Sequence, residues 1–115
     1  MNVLSPPDEA PVAGDTELTV RRLAALAHPA RLAILRELAC RDACCVKDMV
    51  ARVGLAQSTV SQHIKVLVDA GLVAYRANRQ ASAYSLDRSA IGVLAEDVAG
   101  LLDACCNPNC SKKPR

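Results

Sequence analysis

The sequence predicts a mainly α-helical domain that carries one β-hairpin, and three observations lead there. Apolar residues recur at helical spacing from Leu18 to Leu38 and again from Val60 to Val68. Two short strand-like runs, Leu72-Val73-Ala74-Tyr75-Arg76 and Ser82-Ala83-Tyr84-Ser85-Leu86, flank Asn78-Arg79-Gln80-Ala81. Near the C-terminus Ile91, Leu94, Val98 and Leu101 alternate in steps of three and four, the mark of one last long helix.

At 115 residues the chain is the size of one domain and can bury a modest core. It has no Phe and no Trp. The core is therefore expected to be built from Leu, Val, Ile and Ala, and a small aliphatic core gains from dimerisation. A formal net charge of +2 is too weak to argue for nucleic acid alone, but its distribution says more. Residues 1–15 hold Asp8, Glu9 and Asp15 with no Lys or Arg, which leaves 14 basic against 9 acidic residues, +5, in the remainder. That excess fits a phosphate-contacting surface. The chain has no bilayer-length apolar run and no basic-then-apolar signal, which predicts a cytoplasmic protein with no membrane partner. In a reducing cytosol its six cysteines read as metal ligands or redox switches rather than as three disulfides.

Residues 1–15 contain Pro6, Pro7, Pro11 and Gly14 without periodicity and read as a disordered arm. Residues 16–105 are the folded domain and 106–115 a cysteine-containing tail. Thr16 is the expected cap of a first helix running to about Ala27, with Leu18, Leu23 and Leu26 inward. His28-Pro29 opens the second helix, since proline suits a first helical position. Leu32, Ile34, Leu35 and Leu38 are its expected buried side, and His28 reads as structural. Cys40 to Cys45 is a loop or frayed end, and Val46 to Val53 a short helix closed by Gly54. Leu55-Ala56 then turns the chain. Alanine accepts no capping hydrogen bond, a loss of about 1 kcal/mol, so Ser58 is a candidate cap one turn later.

From Gln57 to Gly71 a helix places Val60, Ile64, Leu67 and Val68 on one stripe. Its other face carries Ser58, Thr59, Ser61, Gln62 and Lys65, with no acid until Asp69. A face of hydrogen-bonding groups nearly free of negative charge suits the DNA major groove. With Gln57 and His63, these are the candidate base- and backbone-contacting residues. In a hairpin symmetric about Arg79-Gln80, Tyr75 and Tyr84 face one another. Arg76 and Arg79 lie along it or at its tip, where they reach phosphates or a minor groove, or else are simply solvated. The last helix starts at Asp87 or Arg88 and runs to Cys105. Its Ile91, Leu94, Val98 and Leu101 form an a/d seam suited to a dimer contact.

Helix, turn, helix and hairpin follow in that order, and three stretches carry a resemblance. They are His28-Pro29-Ala30-Arg31-Leu32-Ala33-Ile34-Leu35, Gln57-Ser58-Thr59-Val60-Ser61-Gln62-His63-Ile64-Lys65-Val66-Leu67, and Ala70-Gly71-Leu72-Val73. Over roughly residues 17 to 104 the chain resembles the ArsR/SmtB-type metal-sensing repressors. The resemblance implies a winged helix-turn-helix homodimer whose first and last helices form the dimer interface. It further implies a repressor that sits on a near-palindromic operator and leaves it when an inducer binds, with detoxification or efflux genes as targets. Two departures stand out. Ala56 occupies a position where the family often has Ser or Thr. Cys45-Val46-Lys47-Asp48-Met49 stands where many arsenic sensors of the family have Cys-Val-Cys-Asp-Leu. Lys47 replaces the second cysteine, so that inducer site does not carry over intact.

Cys105, Cys106 and Cys110 put three soft ligands within six residues. Soft thiolates select thiophilic ions, and a pyramidal As(III) or Sb(III) centre takes three sulfurs. The expected inducer is thus As(III), or Sb(III) as its analogue, with no organic cofactor. Cys40, Cys44 and Cys45 are secondary candidates, either as substitutes or joining the C-terminal set. The last helix has no histidine, which argues against the zinc, nickel and cobalt sites that the resemblance also allows. Two alternatives share the fold. One is a cadmium or lead sensor, although no cysteine precedes Cys40. The other is a thiol redox or persulfide sensor pairing Cys40 or Cys45 with Cys105 or Cys106. An enzyme such as an arsenate reductase is not expected, because no glycine- or arginine-rich anion loop surrounds any cysteine.

Overall fold

The computed structural model describes residues 10–77 and 82–107, the side chains of residues 10–15 and 82 excepted. Along these residues run α1 (Ala10–Leu26), α2 (Pro29–Ala39), α3 (Val46–Val53), α4 (Gln57–Asp69), β1 (Val73–Ala77), β2 (Ser82–Leu86) and α5 (Arg88–Cys106). The strands pair antiparallel with Val73 opposite Leu86 and Tyr75 opposite Tyr84. The two tyrosine ring centroids lie 5.1 Å apart, as symmetry about residues 79 and 80 requires. This is a mainly α fold with a β-hairpin wing, the winged helix-turn-helix.

Local chemistry sets most of the boundaries. α1 starts at Ala10, not Thr16, so residues 10–15 are helical rather than part of an arm. Pro11 is tolerated because first-turn N–H groups have no helical acceptor to lose. Residues 1–9 and 108–115 lie outside the described residues. His28 Nδ1 accepts a hydrogen bond from the Ala30 N–H at 3.0 Å and caps α2 just ahead of Pro29, the structural role expected of it. α3 ends on Gly54 at φ 74°. α4 enters through Ala56 with no side-chain cap. Ser58 does not take over, because the helix is already formed at Gln57 and Ser58 sits inside its first turn. At the other end the Gly71 N–H donates to Val68 O at 2.9 Å and the Leu72 N–H to Leu67 O at 3.0 Å. Gly71 is left-handed at φ 81°. These paired bonds are a Schellman stop, and the buried Leu67 and Leu72 supply the apolar contact that goes with it. Asp87 caps α5 by accepting from the Ala90 N–H at 3.0 Å.

The core joins α2, α3, α4 and the root of the wing: Ile34, Leu38, Met49, Val60, Ile64, Leu67 and Leu72 are fully buried. α1 adds Ala25 and α5 adds Leu94. Leu18 and Leu23, expected inward on α1, are exposed, and so is Leu32 of α2. The reason is placement. α1 meets the core through Ala25 near its C-terminal end, and further up it lies beside α5, where Thr19 Oγ1 donates to Asp97 Oδ2 at 3.4 Å.

One pairing was not expected from the sequence. The Cys44 N–H donates to Tyr84 O and the Tyr84 N–H to Cys44 O, both at 2.9 Å. This single antiparallel bridge ties the α2–α3 loop to β2 and buries Cys44.

Candidate nucleic-acid interface and thiol groups

Burial of Val60, Ile64 and Leu67 turns the opposite side of α4 to solvent. Ser58, Ser61, Gln62 and Lys65, at i, i+3, i+4 and i+7, are exposed and share one stripe, with Gln57 exposed at the helix start. Thr59 and His63 are half-buried at its edges. Lys65 Nζ lies 3.4 Å from Asp69 Oδ2. Both side chains are mostly exposed, so the pair contributes at most about 1 kcal/mol and gives way readily to a phosphate. Ser61 and Lys65 also line a groove between α4 and the wing, closed by Val68, Asp69, Tyr75 and Tyr84. Arg76 is exposed on β1. Arg79 lies outside the described residues.

Three arginines whose role is not legible in the sequence hold α4 from behind. From α1, Arg21 Nη2 donates to Asp69 O at 3.1 Å and Arg22 Nε to Ala70 O at 2.9 Å. They satisfy carbonyls at the helix end that have no partner within the helix. From α2, Arg31 Nη1 donates to Ala24 O at 3.3 Å and Ala25 O at 3.1 Å, while its Nε donates to His63 Nδ1 at 3.2 Å. The His63 ring lies against His28, centroids 4.3 Å apart. Burial first, then the neighbouring His28 and Arg31, hold His63 below the usual histidine range. His63 therefore braces α4 with its Nδ1.

Comparison with known proteins places this geometry. Residues 26–76 match the profile of a helix-turn-helix domain. Over 79 residues the chain is 35% identical to the arsenical resistance operon repressor of Bacillus subtilis, a match that covers 68% of this chain and 75% of that protein. The chain belongs to the ArsR family of helix-turn-helix regulators. This ArsR-family chain is also 42% identical over 77 residues to the uncharacterised HTH-type regulator Rv0081 of Mycobacterium tuberculosis, covering 67% of this chain and 61% of that one. Among solved structures it is similar to reduced HlyU from Vibrio cholerae, with TM-score 0.64, 30% identity, and 79% and 95% of the two chains covered. The family is one of DNA-binding transcriptional regulators, and no helix among the described residues is long and apolar enough to cross a membrane.

The thiols fall into two separate settings. Cys105 and Cys106 are exposed at the last positions of α5, and at Asn107 the backbone turns extended. Cys110 lies outside the described residues. Among those that are described, no three His, Cys, Asp or Glu residues come together as a metal site. Of the upstream thiols, Cys40 is exposed at the end of α2, Cys45 is half-buried at the start of α3 and Cys44 is buried. Burial, reinforced by Asp48, pushes the Cys44 thiol above the usual cysteine range. Arg88 Nη2 reaches Ala39 O at 3.4 Å, which sets the start of α5 beside Cys40. Cys105 is then about 25 Å away along the helix. A disulfide needs Cα atoms within about 7 Å, so Cys40 and Cys105 of one protomer cannot join.

The apolar seam of α5 divides. Leu94 is buried in its own protomer, and Ile91 and Val98 pack on the same core. Leu101 is 57% exposed, with Leu102 and Val93 similarly open and Val20 of α1 also at 57%. Leu101, Val20 and Leu23 line one groove between α1 and α5.

Proposed function

We propose that this ArsR-family protein is a homodimeric repressor that holds operator DNA and releases it when As(III) or Sb(III) binds Cys105, Cys106 and Cys110. The observation that carries the inducer assignment is the pair of exposed thiols at the tip of α5, with a third cysteine four residues on. The donor set is all sulfur, which suits a thiophilic pyramidal centre and leaves no role for a hard metal. The name of the Bacillus subtilis relative points the same way. The upstream thiols suit the role less well, since the protonated, buried Cys44 is a poor ligand and Lys47 interrupts the run.

In this reading the exposed apolar residues of α1 and distal α5 meet a second copy, and the two α4 helices enter successive major grooves about 34 Å apart. Gln57, Ser58, Thr59, Ser61, Gln62 and Lys65 face the bases and phosphates, with Arg76 and Arg79 on the wing beside the backbone. The bound inducer would hold the tip of α5 next to Leu101 and Leu102. Release follows if that dimer geometry binds inducer better than the operator-bound one does. The protein would act in the cytoplasm.

Operator release is measured against arsenite, antimonite, cadmium, zinc and polysulfide. Arsenite and antimonite should act on the wild type, and Cys105→Ser, Cys106→Ser and Cys110→Ser should bind operator normally but stay bound. A normal response from Cys110→Ser alongside loss in Cys45→Ser would move the inducer site to α3. A second reading, a thiol redox or persulfide sensor, is favoured by the likeness to reduced HlyU. It predicts release by polysulfide and indifference to arsenite. Release by cadmium alone would select the cadmium or lead variant of the same fold.

A further inference from the structure

We propose that Arg31 is a positioning residue for sequence recognition: one guanidinium ties the end of α1 and the middle of α4 into a unit through the neutral imidazole of His63. The inference rests on α4 being the helix that reads DNA, and it concerns what sets that helix's orientation rather than what touches the bases.

α1 makes little use of apolar burial. Of its described side chains only Ala25 is fully buried and Leu26 packs half-buried on the same core, so its apolar attachment to the DNA-reading helix is confined to its last turn. The remaining ties between the two helices are hydrogen bonds. Arg21 and Arg22 hold the last carbonyls of α4, while Arg31 on α2 holds the last carbonyls of α1 and the His63 ring at once. Hydrogen bonds are directional where apolar contacts slide, so these arginines set an angle as well as a distance. α1 also carries part of the exposed apolar surface proposed for the dimer. Whatever orientation a partner imposes on α1 therefore reaches α4 largely through guanidinium groups.

The bond at His63 has a protonation requirement. Nδ1 can accept from Arg31 Nε only while it keeps its lone pair, so the ring carries its proton on Nε2. Protonating Nδ1 turns the acceptor into a second donor facing a cation. From α2 the groups facing this ring are Arg31 and His28, both of which oppose a further positive charge. From α1, the Arg21 and Arg22 cations are committed to the end of α4. On α4 itself Asp69 is paired with Lys65. Among the described residues no carboxylate acts on His63. Its depressed protonation means that the braced form binds fewer protons than a free histidine. The brace is intact above the ordinary histidine range and weakens as pH falls through and below it.

The test uses the full chain and the tightest duplex it selects from randomised DNA, against a random duplex of equal length. Binding is measured by fluorescence anisotropy from pH 8 to pH 5.5 at constant ionic strength. For the wild type the ratio of specific to random affinity should fall on the order of fivefold to tenfold on acidification, the scale of one lost hydrogen bond. Affinity for random DNA should not fall with it, since the ring gains positive charge. His63→Gln keeps an acceptor for Arg31 that does not titrate, so its ratio should be flat with pH. Arg31→Gln should show the reduced ratio at every pH with random binding nearly retained, and Arg31→Lys should not restore it. Should Arg31→Gln fail to fold, imidazole nitrogen NMR of the wild type reports whether His63 Nδ1 is the unprotonated nitrogen at pH 8. A protonated Nδ1 there, a flat wild-type ratio, or an unchanged pH dependence in His63→Gln each overturns the proposal. A wild type that selects no sequence overturns it as well, by removing α4 as the reading helix.

Discussion

Gly71→Ala isolates how the end of α4, the helix proposed to read DNA, is built. Gly71 sits at φ 81°, where an L side chain costs about 1–2 kcal/mol. A Cβ there would also lie 2.9 Å from Arg22 Nη2. The guanidinium can swing away, but its Nε then gives up the 2.9 Å bond to Ala70 O, which is worth about 0.5–1.5 kcal/mol net. The expected total is about 1.5–3.5 kcal/mol. Gly54→Ala is the internal control. It has nearly the same φ, 74°, and nothing within 4 Å of the added Cβ, so it carries the backbone cost alone. Urea unfolding followed by circular dichroism, at one protein concentration for all variants, measures both. In an Arg22→Ala background Gly71→Ala should fall back to the cost of Gly54→Ala, because the bond it would break is already gone. Equal losses for Gly54→Ala and Gly71→Ala in the wild type, with no coupling to Arg22, would falsify this account of the helix end.

Three further outcomes follow from the site. Gln62→Ala should lose about 1–3 kcal/mol of operator binding with random-duplex binding nearly intact, since base-edge contacts carry specificity; equal losses on both would remove Gln62 from the bases. Leu101→Glu should lower dimer affinity in analytical ultracentrifugation without loss of helicity, because this side chain is exposed, whereas Leu94→Glu should unfold the protomer by burying an unpaired carboxylate. A Leu101→Glu dimer of normal affinity would place the interface elsewhere. In the native protein Cys44 should react with a thiol reagent far more slowly than Cys40, Cys105 and Cys106, and should need higher pH to form thiolate, as its raised pKa requires. Folded and unfolded states then differ in proton uptake: the buried thiol keeps its proton longer, so it contributes stability that is lost as pH rises through and beyond the ordinary cysteine range. Equal labelling rates for all these cysteines would contradict its burial.

Local rules were enough for the elements, the start of α1 excepted, and for the solvent-facing stripe of α4. Val60, Ile64 and Leu67 at helical spacing determine which side of α4 is buried, and by exclusion which side meets solvent. Pro29 after His28, Gly54 and Gly71 mark helix ends by backbone chemistry that needs no tertiary partner. The Tyr75–Tyr84 pair follows from hairpin symmetry alone. What local rules cannot decide is how a face is shared between surfaces that are far apart in sequence. The α5 seam reads as one dimer stripe, yet Ile91, Leu94 and Val98 are taken up by the protomer's own core while Leu101 stays open. Periodicity reports that a stripe is apolar and never which surface covers it. The same holds for the polar ties. Arg31 lies 32 residues from His63, and Cys44 lies 40 residues from Tyr84. A hydrogen bond between such positions leaves no spacing signature, because its partner is chosen by the packing of α2 against α4 and of the α2–α3 loop against the wing, which only the tertiary structure brings about.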